Sequence, residues 1–209
     1  MTELFRNTYR VSSARLKNYN YGNKGAYFIT ICSKDHKNFF GKIIPKNSDI
    51  PDKHGMKNDV ELTNIGKIVR SEWIKSSLIR SDMNLEFDAY IIMPNHFHGT
   101  IIIGENSYNK AGESKKSNTD NFISAFKPQA KNLASVIRGF KSSVTSASKK
   151  LGYSGFAWQP GYYDHIIRNY EDFQKIHEYI ITNPENWKKD KFYIDSGDSM
   201  LASQDIWVL

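Results

Sequence analysis

The sequence predicts an α+β fold, with helices packed on a central antiparallel sheet, and three observations predict it. The first is a pair of β-rich runs at 86–92 and 96–103, separated only by Met93-Pro94-Asn95, which must be the turn of a hairpin. The second is a pair of apolar stripes at helical spacing on either side of that hairpin: Ile65, Ile68, Val69 and Trp73 before it, and Leu133, Val136, Ile137, Phe140 and Val144 after it. The third is the element order, βα-ββ-αβ-α, with no internal repeat. That order suggests a sandwich of ferredoxin-like type, with helices on one face of the sheet and an open face for a ligand.

Residues 1–24 are polar and basic, with Arg6, Arg10, Arg15 and Lys17 beside Tyr19 and Tyr21, and read as an arm. The domain proper is expected over 25–188. It begins with a strand at about 26–33, where Tyr27-Phe-Ile-Thr-Ile-Cys is β-rich. The stretch 44–60, rich in Asn, Lys, Asp and Pro, reads as a long loop. Thr63 is the expected N-cap of a helix running to about residue 78. After the hairpin, 104–131 has the composition of a mobile loop inserted into the domain. A second helix spans 133–150, and the later part of 156–168 should be a strand. Asn169 caps a third helix over about 171–181, ended by Pro184, which disfavours helical conformation at Asn183. Residues 189–209 form a C-terminal tail.

The chain has 209 residues, a formal charge of +7 and 13% aromatic residues, a combination suited to a polyanion that offers phosphates and stackable bases. Nucleic acid is the expected partner. No apolar run approaches the roughly 20 residues of a membrane span, and the first residues lack the organisation of a signal peptide. The lone Cys32 excludes an internal disulfide and any cysteine-based zinc site. A cytoplasmic chain is the expectation.

The segment carrying chemistry is His96-Phe97-His98. Strand side chains alternate faces, so both imidazoles project one way and Phe97 enters the core. Two histidines side by side are half of a metal site. Burying them otherwise requires partners for four ring nitrogens. The bland alternative is a pair of exposed strand histidines.

Further along stand Trp158-Gln-Pro-Gly-Tyr-Tyr-Asp-His-Ile-Ile-Arg168 and Glu178-Tyr-Ile-Ile-Thr-Asn-Pro184. With Met93-Pro-Asn-His-Phe-His98, the Tyr27-Phe-Ile-Thr-Ile-Cys strand and Ile137-Arg-Gly-Phe-Lys141, in this order, the chain resembles the REP-associated tyrosine transposases, a branch of the single-tyrosine HUH transposases. The resemblance runs from roughly Arg15 to Trp187. It implies a metal-dependent DNA strand transferase that cuts single-stranded DNA through a covalent phosphotyrosine. It also implies a metal pair at His96 and His98, and a nucleophile at the tyrosine before Ile-x-x-Asn-Pro, which is Tyr179. The family binds imperfect-palindrome hairpins, as monomer or homodimer.

Tyr179 and Asn183 are four residues apart on the third helix and share a face, beside the apolar Phe173, Ile176 and Ile180. The Asn183 carboxamide is therefore the candidate third ligand, in place of the glutamine common in the wider superfamily. Mg²⁺ or Mn²⁺ is expected for phosphoryl transfer, although the histidines would also accept Zn²⁺, Co²⁺ or Ni²⁺. Tyr162, Tyr163 and Tyr170 compete as nucleophiles, the first two at strand positions suited to packing and the third at a helix start. His165 and His177 stay outside the expected site. Arg138 and Lys141 on the second helix, with Arg15 and Lys17 in the arm, form a candidate phosphate track. Two other readings remain: an HUH replication initiator or relaxase, and a non-enzymatic nucleic-acid-binding module with exposed histidines.

Overall fold

The computed structural model describes residues 4–5, 8–9, 16, 19–46, 56–110 and 130–194. Arg15, Lys17 and most of the 104–131 insertion therefore lie outside the described residues. Short strands β1 (Leu4–Phe5) and β2 (Thr8–Tyr9) pair antiparallel. The central strand is β3 (Gly25–Cys32). A separate ribbon of β4 (Gly41–Pro45) and β5 (Asn58–Leu62) follows, then α1 (Asn64–Ile79), β6 (Leu85–Ile92), β7 (His96–Ile103), α2 (Leu133–Lys150), β8 (Tyr163–Ile167) and α3 (Tyr170–Thr182). The main sheet has the order β6-β7-β3-β8 with every neighbouring pair antiparallel, which is the ferredoxin-like arrangement. Among the described residues no helix is long and apolar enough to cross a membrane.

The ribbon β4–β5 corrects the expectation of a loop over 44–60. Its strands are half-exposed and short, so the adjacent Ile43 and Ile44 and the alternating Val60 and Leu62 produce no strong apolar run among the polar residues. Elsewhere local chemistry agrees with the outcome. Thr63 Oγ1 accepts from the Gly66 amide at 3.1 Å, capping α1. Asn132 and Ser135 cap α2 reciprocally. The stripe from Leu133 to Val144 is buried against α1 and the sheet.

The alternation on β7 divides the molecule into two layers. Phe97 turns towards α1 and α2, with ring centroids 4.6 Å from Trp73 and 5.5 Å from Phe140. Gly99 makes room for that packing, since a Cβ there would lie 2.9 Å from both Phe97 and Trp73. His96, His98 and Thr100 face the other way, where α3 lies, with Tyr179 5.2 Å from His98 between ring centroids. Helices thus cover both faces. This corrects the expected open face, because α3 must bury its own apolar side, of which Ile180 is fully enclosed.

Asn169 Oδ1 accepts from the Asp172 amide at 2.8 Å and starts α3. Two hydrogen bonds hold the helix to the sheet edges: His165 Nε2 to Asp172 Oδ2 at 2.9 Å and His177 Nδ1 to Asp88 Oδ2 at 3.0 Å. Pro184 does not expel Asn183 from helical conformation as expected. Asn183 is helical (φ −56°, ψ −38°), and the chain tightens into a 3-10 turn over Asn183–Lys189. Proline is tolerated at the start of that turn because its missing N–H has no intrahelical acceptor to serve there. The turn carries Asp190 and Phe192 back onto the sheet, so the first residues of the presumed tail pack with the domain: Phe192 is buried and its carbonyl accepts from Asn95 at 2.7 Å.

Lys141 is also placed differently from expectation. Its amine donates to the carbonyls of Gln159 and Gly161, each at 2.7 Å, while Trp158 Nε1 donates to the Lys141 carbonyl at 3.1 Å. Burial pushes the amine down to about 8. Lys141 therefore ties α2 to the segment leading into β8, and only Arg138 of the pair is exposed. Lys141→Met, which keeps the stem and removes the donors, should lower unfolding free energy in urea by about 1–3 kcal/mol and leave the salt dependence of DNA binding unchanged. Unaltered stability with a shallower salt dependence would restore the phosphate role.

Candidate metal centre

The register of β3 against β7 sets Thr30 opposite His98 and Cys32 opposite His96. Both histidines are enclosed, at 0% and 1% exposure, which removes the reading of them as exposed strand residues. Their ring centroids are 4.4 Å apart. Each Nδ1 is already engaged: His98 with Thr30 Oγ1 at 2.8 Å, and His96 with Asn95 Oδ1 at 2.9 Å. The two Nε2 atoms remain for other work. His98 Nε2 lies 3.3 Å from the Tyr179 hydroxyl. His96 Nε2 is buried without a hydrogen-bond partner among the described residues.

Asp190 completes the cluster. Its Oδ2 is 4.0 Å from His96 Nε2, 3.5 Å from the Tyr179 hydroxyl and 3.2 Å from Asn183 Nδ2. One donor atom from each of His96, His98 and Asp190 can be chosen so that all lie within 4.8 Å of one another. Asn183 adjoins them through its Nδ2, which donates to Asp190 Oδ2, and its Oδ1 is buried and also without a hydrogen-bond partner among the described residues.

The electrostatics follow from burial. Desolvation, aided by Lys191, pushes His98 down to about 3. Desolvation and then repulsion from His98 hold His96 well below the ordinary imidazole range. Both rings are therefore neutral, the form in which an imidazole can be a ligand. Tyr179 is pushed up to about 12, first by burial and then by the charge of Asp190.

Two neutral nitrogens, one carboxylate oxygen and one amide oxygen make a donor set that suits a divalent cation. The fit is more than compositional. A buried lone pair without a partner is costly, and here two of them, on His96 and Asn183, belong to the same cluster.

Four sequence candidates, His96, His98, Tyr179 and Asn183, come together here. Asp190 was missed, for it stands alone in Lys188-Lys189-Asp190-Lys191, a stretch whose charge reads as a solvated tail. Tyr163 lies on β8 beside Phe192, at 5.9 Å between ring centroids, and Tyr162 packs at the core margin. Tyr170 is 72% exposed and its hydroxyl accepts from Gln174. A groove of about 860 Å³ adjoins the cluster, lined in part by Lys42, Lys188, Lys189, Trp187 and Tyr193. Trp187 is shared, its ring centroid 5.9 Å from that of His96.

No family model matches the chain. A Haemophilus influenzae protein, described as an uncharacterized protein, is 34% identical over 183 residues, covering 88% of this chain and 93% of that one. The chain belongs to that protein's family. Coverage of this extent means that the Haemophilus influenzae family shares the domain rather than one motif. A solved structure of a REP-associated tyrosine transposase bound to a REP hairpin is 19% identical, covering 83% of this chain and 74% of that one, with a TM-score of 0.47.

For this member of the family, the buried histidines carry a consequence for acid stability. A folded-state value of about 3 for His98 lies below the unfolded value of about 6.5. Its contribution is therefore complete above the unfolded value and is lost as pH falls towards the folded one. Metal-free thermal unfolding between about pH 7.5 and about pH 4.5 should show a steeper loss for the wild type than for His98→Gln. Parallel curves would contradict the burial of a neutral imidazole.

Proposed function

We propose that this chain is a divalent-metal-dependent DNA strand transferase of the transposase type, cutting single-stranded hairpin DNA through Tyr179. The observation that carries the reading is a tyrosine hydroxyl 3.3 Å from His98 Nε2, at the edge of a buried His-His-Asp cluster. Its support is threefold: the nucleophile adjoins a donor set for a cation, the chain is basic by seven charges, and the ordered motifs resemble REP-associated tyrosine transposases. His96, His98 and Asp190, with Asn183 beside them, would hold Mg²⁺ or Mn²⁺. When bound, the ion supplies positive charge that neutralises non-bridging phosphate oxygens and stabilises the leaving 3′-oxygen.

Tyr179 is 41% exposed, so a strand can approach it while its ring lies near Phe28 and His98. A phenol held at about 12 is a poor nucleophile at neutral pH, which is consistent with chemistry that waits for added positive charge. The phenolic oxygen forms a bond to phosphorus as the bond from phosphorus to the 3′-oxygen breaks. The phenol loses one proton and the departing 3′-oxygen gains one. Asp190 Oδ2, at 3.5 Å, is the carboxylate within reach of that proton. The products are a 5′-phosphotyrosine and a 3′-hydroxyl, and another 3′-hydroxyl can reverse the step on a new strand without ATP. On this reading Tyr179 acts beside His98 of its own chain, in a protein that works as a monomer or a homodimer. The groove with Lys188 and Lys189 offers a path for the strand. The cytoplasm, where chromosomal DNA is accessible, is the proposed location.

The test uses Mn²⁺ and a labelled single-stranded hairpin taken from the surroundings of the coding region. Wild-type protein should form an adduct that survives denaturation and carries label from the 3′ side of the cut. Tyr179→Phe keeps the ring and should bind the hairpin with unchanged affinity while forming no adduct. Cutting without any adduct would make water the nucleophile and overturn the transferase reading. An adduct that persists in Tyr179→Phe would move the chemistry to another residue.

A further inference from the structure

The amide of Asn95 stands at the junction of the two parts of the cluster. It lies in the turn between β6 and β7, fully buried, and the turn is fixed to the rest of the sheet: the Ser33 amide donates to the Asn95 carbonyl at 2.8 Å and the Phe40 amide to the Pro94 carbonyl at 2.9 Å. One end of the Asn95 side chain is 2.7 Å from the Phe192 carbonyl and 3.1 Å from the His36 carbonyl. Both neighbours can only accept, so that end must be the NH₂ group. A flipped amide would set oxygen against two carbonyl oxygens. The other end, 2.9 Å from His96 Nδ1, is therefore Oδ1, which can only accept. It follows that His96 Nδ1 carries the proton in the neutral ring and that Nε2 bears a bare lone pair.

A neutral histidine side chain in water favours the opposite tautomer, with hydrogen on Nε2. That hydrogen would occupy the direction from which His96 faces Asp190 Oδ2 at 4.0 Å. The second end of the amide acts on the same carboxylate. Phe192, whose carbonyl Asn95 holds, donates its own amide N–H to Asp190 Oδ1 at 2.7 Å. One side chain thus sets the lone pair of His96 and the position of the turn that carries Asp190.

We infer that Asn95 is a positioning residue that locks His96 in its Nδ1–H tautomer and fastens the Asp190 turn to it, so that both present bare lone pairs to one cation. The inference rests on the metal reading given above, in that the cation gives the lock its purpose. The hydrogen bonds that set the tautomer do not depend on that reading. Outer partners of metal-bound histidines act in this way by fixing tautomer and ring orientation.

Long-range ¹H–¹⁵N spectra of the metal-free, full-length wild type, labelled at histidine, read the tautomer directly. His96 should show a protonated Nδ1 and a bare Nε2, and the reverse pattern would overturn the inference. Asn95→Ala removes both arms. It should let His96 return to the Nε2–H form and weaken Mn²⁺ binding about 10–100-fold, measured by calorimetry without DNA. Asn95→Asp retains an acceptor for Nδ1–H but replaces the donors to His36 and Phe192 with a carboxylate oxygen that faces their carbonyls. It should keep the wild-type tautomer and lose less Mn²⁺ affinity than Asn95→Ala. Variants that lose stability while keeping both the spectrum and the affinity would reduce Asn95 to a turn residue and overturn the inference. A wild type with Nδ1–H at His96 that binds no Mn²⁺ would uphold the tautomer lock and overturn the metal reading instead.

Discussion

The structure depends on the enclosure of two neutral imidazoles side by side on one strand. Alternation along β7 forces His96 and His98 onto the same face as soon as Phe97 enters the core between Trp73 and Phe140. Enclosing them removes water from four ring nitrogens, and protein groups answer for three: Thr30, Asn95 and the Tyr179 hydroxyl. The fourth, His96 Nε2, faces a carboxylate oxygen rather than a donor. Much of the remaining architecture serves that arrangement, since α3 brings Tyr179 and Asn183 over the pair and the 3-10 turn beyond it delivers Asp190.

The position of α3 is correspondingly over-determined. Burial of Ile180 fixes which side of the helix meets the sheet, while the contacts of Asp172 with His165 and of His177 with Asp88 reach strands at opposite edges. Asp88 sits where the pairing of β6 with β7 changes register, between Phe87 and Tyr90. A bulge of this kind re-aims side chains at an edge strand. These exposed or half-exposed pairs add little stability individually. Their value is geometric, because a shift of the helix by a fraction of a turn would take the Tyr179 hydroxyl away from His98.

Local rules made much of this legible in the sequence. The caps at Thr63 and Asn169, the hairpin over β6 and β7, and the four-residue spacing of Tyr179 and Asn183 are all written within a few neighbouring residues, and each has its counterpart in the fold. What escaped reading depends on contacts distant in sequence. Ribbon β4–β5 has no strong apolar pattern because it is half-exposed. Lys141 looks like a surface cation until the carbonyls of Gln159 and Gly161 fold against it. Asp190 is legible only after the turn beginning at Asn183 is known to continue past Pro184 and double back. A proline rule that holds for helix interiors misled at a point where the helix merely tightens.

The central claim is that His96, His98 and Asp190 together hold a divalent cation. Calorimetric titration of Mn²⁺ into the metal-free, full-length chain, with no DNA present, tests it most directly when wild type, the double variant His96→Ala/His98→Ala and Asp190→Asn are compared. The account predicts one site in the wild type, no detectable binding in the double variant, and clearly weakened binding in Asp190→Asn, with all three proteins folded by circular dichroism. Equal binding in the three would place the cation elsewhere and contradict the account.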